Sequence, residues 1–167
     1  MAEKDQVIRE QVEHKGIFDF RGLYSFAHSW FQSENYDGVD EEKYSEKLAG
    51  SAKNIDIEWK ATKRLSDYFK IEQKLKFEIK DLTDVEVEID GKTKKMNNGS
   101  IKIEIKGTLV VDPDSKWETS AFYKFIRDVY SKYVVPARVD SMKMKTSTDV
   151  KNLKEEIKAY LDLTGRR

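Results

Sequence analysis

Residues 69–80 read FKIEQKLKFEIK, and the same alternation recurs in 55–61 (IDIEWKA), 85–89 (VEVEI) and 101–106 (IKIEIK). Apolar residues fall at Ile55, Ile57, Trp59 and Ala61, then Phe69, Ile71, Leu75, Phe77 and Ile79, then Val85, Val87 and Ile89, then Ile101, Ile103, Ile105, Leu109 and Val111. Lys, Glu and Asp fill most positions between them. Side chains on a strand alternate between faces, so one face of this region is apolar and the other charged. Parallel sheets are covered on both faces and read as continuous apolar runs, so the alternation predicts an antiparallel meander with one wet face. On that face the mixed Lys and Glu are expected to pair across strands.

Asp90-Gly91 is a two-residue hairpin signal, because glycine takes positive φ without steric cost. Asn97-Asn98-Gly99 reads as a second turn, leaving Lys92–Met96 as a short edge strand. Asp81–Asp84 and Ser66-Asp67 read as further breaks. Lys43–Ala49 reads as another strand, with Tyr44 and Leu48 on one face and a turn over Gly50–Asn54. The total is five or six strands.

Elements flanking this region must cover its apolar face. Asp19 is placed to cap a helix over Phe20–Ser33 whose apolar positions, Phe20, Leu23, Tyr24, Ala27, Trp30 and Phe31, recur at three and four. Residues 1–16 fit an edge strand or a loose lead-in. Beyond the sheet, Ser115 and Glu118 have the spacing of a capping box. The helix after them would carry Phe122, Phe125, Ile126, Val129, Tyr130 and Tyr133 on one face. Pro136 would interrupt or kink it. Residues 136–163 keep a helical period, as one helix or as two broken at Thr146–Thr148, with Gly165 as the stop. The expected fold class is α+β, one domain over 1–167. In it an antiparallel β-meander has one face covered by an N-terminal helix and C-terminal helices. This order of elements resembles the helix-grip ligand-binding folds in architecture, with no motif behind the resemblance.

Composition removes several chemistries. Lys and Arg number 31 and Asp and Glu 31, so no net field recruits nucleic acid or an anionic membrane. Interleaved glutamates make nucleic acid an unlikely partner. There is no cysteine, which excludes disulfides, thiol nucleophiles and cysteine-ligated metal. No apolar run reaches membrane-spanning length, and the first residues lack the core of a signal peptide, so a cytoplasmic protein is expected. The two histidines, His14 and His28, have no paired ligand spacing. No phosphate loop, dinucleotide glycine pattern or nucleophile elbow is present. Asp112, Asp114 and Glu118 could gather round a hard cation, but a turn and a capping box already account for them. No cofactor, metal or catalytic residue is assigned.

What remains is aromatic content. A filled aromatic core is one reading. Another is an apolar pocket between sheet and helices lined by Trp30, Trp59, Phe77, Phe122 and Phe125, with Gln73 the polar residue on the buried face. A third is a partner surface at Lys92–Met96 or around Tyr123, Tyr130 and Tyr133, or self-association. The function expected is a non-enzymatic binding or interaction module. A carrier or sensor of a small apolar ligand is the first alternative, and an enzyme using His28 or the Asp112/Asp114/Glu118 group the second.

Overall fold

The alternating stretch folds as three long strands rather than four or five short ones. A computed structural model describes residues 3–66, 68–111, 125 and 135–165. In chain order they form β1 (Glu3–Phe18), α1 (Phe20–Ser33), β2 (Gly38–Ala49), β3 (Ala52–Arg64), β4 (Phe69–Ile89), β5 (Lys92–Val111) and α2 (Val135–Gly165). The strands make one antiparallel sheet in the order β1-β5-β4-β3-β2. Sequential hairpins account for β2 to β5. β1 joins the far edge beside β5, so α1 links the two edges of the sheet. The class is α+β, as the alternation predicts. Residues 3–16 belong to an edge strand and not to a loose lead-in.

Two expected turns are absent because the backbone absorbs them within strands. At Asp81–Asp84 the register of β4 against β5 slips between Lys80 and Thr83, and Asp81 takes φ 56°. This is a β-bulge: an extra residue bends the strand without ending it. Gly99 lies opposite. A Cβ there would sit 2.9 Å from the Lys80 carbonyl oxygen and 3.1 Å from the Leu82 Cα. The glycine of Asn97-Asn98-Gly99 therefore admits the bulged backbone at close range and does not make a turn. Lys92–Met96 is the start of β5, paired with Val85–Ile89 past the last contacts of β1 and β3. Residues 85–96 thus extend beyond the rest of the sheet as a two-stranded ribbon. It closes at Asp90-Gly91, where φ is 52° and 79° as the hairpin signal requires.

Helix α1 matches its expected limits. Asp19 accepts a hydrogen bond from the Gly22 amide at 3.1 Å. The C-terminus closes as a Schellman motif around Asn35, at φ 63°. The Tyr36 amide donates to the Phe31 carbonyl and the Asn35 amide to that of Gln32. The Phe31 and Tyr36 rings meet 5.1 Å apart, the apolar contact that accompanies this cap. The cap thereby turns Tyr36 into the core.

Helix α2 is one element of 31 residues, about 46 Å long. Pro136 lies in its first turn, where a missing amide costs nothing. The expected break at Thr146–Thr148 does not occur, because the buried Thr146 hydroxyl donates to the Met142 carbonyl within the helix. Val150, Leu153, Ile157 and Leu161 bury one stripe of α2 against the sheet. Opposite that stripe β5 carries Gly107. A Cβ at Gly107 would lie 2.7 Å from Val150 Cγ2 and 3.0 Å from Ile8 Cγ2. The expected capping box at Ser115/Glu118 and the helix through Tyr133 lie outside the described residues, apart from Phe125.

Gly107→Ala is expected to destabilise the fold by about 1–3 kcal/mol, the usual range for overpacking a filled core. Urea unfolding followed by circular dichroism should show a lower midpoint with an unchanged slope.

Candidate functional site

The expected pocket liners divide. Trp30, Trp59, Gln73 and Phe77 are all buried, each 9% exposed or less. The rings of Trp59 and Phe77 meet edge to face at 4.9 Å, and Tyr24 and His28 close on the same indole at 4.9 and 6.1 Å. Trp30 packs against Phe31 and Tyr36. These residues form a continuous aromatic core. Phe125 is 65% exposed, which corrects its expected place on a core face. Phe122, Asp112, Asp114, Glu118, Tyr123, Tyr130 and Tyr133 lie outside the described residues.

Gln73 does not stand alone. Its side-chain amide donates to the Tyr36 hydroxyl at 2.6 Å, and that hydroxyl donates to the Asp149 carboxylate at 3.0 Å. All three residues are buried. The chain of bonds joins β4, the exit of α1 and the middle of α2. Its geometry follows from the close seat of α2 over Gly107, which is paired directly with Gln73. Burial, and next the Asp149 carboxylate, push the Tyr36 phenol above its ordinary value. The network is a structural clasp: a protonated phenol bridges a buried amide and a buried carboxylate from two other elements. Among the described residues, Gln73 Oε1 and Trp59 Nε1 are buried without a hydrogen-bond partner.

The histidines do not build a reactive centre among the described residues. His14 Nε2 lies 3.1 Å from the Ile17 carbonyl oxygen, and its ring meets Phe18 edge to face. His28 stands edge-on to Trp59. Among the described residues no group of three His, Asp or Glu side chains could hold a metal ion. No helix of the described residues is long and apolar enough to cross a membrane.

An open cleft of about 480 Å³ lies where the N-terminal end of α1 faces the β2–β3 hairpin and the bulged region of β4 and β5. Phe20, Tyr44, Ile55 and Leu82 supply its apolar lining. Tyr44 is half exposed. The expectation that Tyr44 shares a face of β2 thus acquires a place. The polar lining is mostly engaged. Asp19 caps α1, and Asp84 accepts from Asn97 at 3.0 Å. Asn97 in turn accepts from the Phe20 amide at 3.1 Å. Lys53 pairs with Glu46 at 3.1 Å, and this bond and charge raise the lysine's pKa. Arg21 and Lys95 are exposed, and among the described residues neither has an ion-pair partner. No periodic pattern marks this site, because its parts come from a helix start and two distant hairpins.

Tyr36→Phe is expected to strand the Gln73 amide and the Asp149 carboxylate at about 1–3 kcal/mol for each group. Gln73→Met in that background should recover part of the loss in a urea titration. The pH sign also follows. The folded state keeps the Tyr36 proton at pH values where an unfolded tyrosine, near 10.0, has lost it. Stability present below that pH is lost as pH rises above it, and the loss should be shallower in Tyr36→Phe.

The chain matches no protein-family model, no curated protein and no solved structure.

Proposed function

We propose that this chain is a non-enzymatic binding module and that its site is the cleft at the N-terminal end of α1. The observation that carries this reading is a mixed lining in which Phe20 and the half-exposed Tyr44 stand beside two cations, Arg21 and Lys95, that have no ion-pair partner among the described residues. Small-molecule sites combine a concave apolar surface with a few placed polar groups, and about 300–1,000 Å³ suits such a ligand. Here the volume is about 480 Å³. The fitting ligand has an apolar body and one anionic group. Binding fits the cleft better than catalysis does. Its lining holds no histidine, and its carboxylates already cap a helix, accept an amide or pair with a lysine. The carrier reading therefore moves from the filled aromatic core to this cleft.

The probe 8-anilinonaphthalene-1-sulfonate has the required chemistry. It is expected to bind saturably at one site, with enhanced fluorescence. Arg21→Gln combined with Lys95→Gln should weaken it by at least about tenfold, or ~1.4 kcal/mol, while the unfolding midpoint stays within error. Failure to saturate, or equal binding by the double variant, rejects the cleft as the site.

A further inference from the structure

The face of the sheet opposite α1 and α2 carries its charges in registered rows. In one row Glu104, Lys76, Glu58 and Lys43 stand opposite one another on β5, β4, β3 and β2, alternating in sign. The next row does not alternate. Arg9 faces Lys106, Lys106 faces Lys74 and Lys74 faces Lys60, four cations on four neighbouring strands, before Asp40 on β2 ends the row opposite Lys60. Like charges directly opposite destabilise a sheet, so this row corrects the expectation of general cross-strand pairing. Relief is partial. Arg9 and Lys106 share Glu104 at 2.7 and 3.3 Å, and Lys60 lies 3.9 Å from the buried Glu72. Lys74 is exposed and has no ion pair among the described residues. A sheet that alternates charge in one row and stacks cations in the next holds that second row at a cost.

We propose that the Arg9–Lys106–Lys74–Lys60 row is a docking surface for an extended acidic segment of a partner protein, lying across the strands. Charge and width both favour this occupant. Adjacent strands are about 4.8 Å apart, so the row spans about 14 Å. An extended peptide returns a carboxylate to the same face every ~6.8 Å, which places two or three along the row. Rows on one face are also only ~6.8 Å apart. Glu104 and Glu58 border the row on one side and Glu72 on the other. A nucleic-acid duplex is wider than the row and would meet those carboxylates. Single-stranded nucleic acid draws on aromatic stacking, and neither the row nor the described rows beside it carry an aromatic residue.

The test is fluorescence anisotropy with a labelled peptide of alternating Glu and Ser, beside a labelled oligothymidylate of matched charge. The peptide is expected to bind and to be released as ionic strength rises past ~0.15 M. Lys74→Glu should weaken it at least about tenfold and at the same time raise the melting temperature, because Lys60 and Lys106 then face an opposite charge. Lys158→Glu, the same charge change on exposed α2, should leave binding within about twofold. Equal binding by Lys74→Glu, equal weakening by Lys158→Glu, or oligothymidylate binding as tight as the peptide's overturns the proposal.

Discussion

The seat of α2 on β5 is the contact on which the rest of the arrangement depends. Gly107 offers no side chain, so Val150 and Thr146 settle almost on the sheet backbone. Only at that distance can Asp149 reach the Tyr36 hydroxyl, and Tyr36 in turn hold Gln73. The helix brings a carboxylate into an interior that would reject it alone, and the phenol and amide make the burial tolerable. The Schellman cap at Asn35 supplies the other half, because it turns Tyr36 inward instead of letting it follow the helix to solvent. Three elements distant in sequence are thereby locked by one short chain of hydrogen bonds.

The interior is closed elsewhere by aromatic packing. Trp59 is enclosed by Phe77, Tyr24 and His28, and Trp30 by Phe31 and Tyr36. Edge-to-face contacts of this kind add to the burial of large apolar rings. The cleft forms where the N-terminal end of α1 faces the β2–β3 hairpin and the bulged region of β4 and β5. The cationic row sits on the sheet face opposite the two described helices.

Alternation made the sheet legible, and helix period with a capping Asp19 made α1 legible to the residue. What alternation cannot show is whether a polar interruption is a turn or a bulge. Asp81–Asp84 and Asn97–Gly99 carry turn residues because a bulge and its close neighbour need the same backbone freedom. The helix break expected at Thr146 failed for a related reason: propensity ignores a hydroxyl that bonds its own helix. Gln73 stood out as the buried polar residue, but its partners did not, since Tyr36 and Asp149 are 37 and 113 positions apart from Gln73 and from Tyr36 respectively. The cationic row is likewise invisible without register, because its members are spread from residue 9 to residue 106.

The bulge in β4 has a kinetic meaning. Beyond Asp84 the ribbon is held by its own ladder and by Lys94, 3.9 Å from Asp19, since β3 pairs no further than Leu82 and β1 no further than Asn97. Its opening breaks local hydrogen bonds and leaves the five-stranded body intact, so it belongs to the low-energy end of the molecule's fluctuations. Lys95 and Met96, on one wall of the cleft, ride on that ribbon, while Asp84 and Asn97 sit at its root. A local opening thus displaces one cationic wall of the cleft without unfolding the sheet, so the motion of that wall is separable from the stability of the fold.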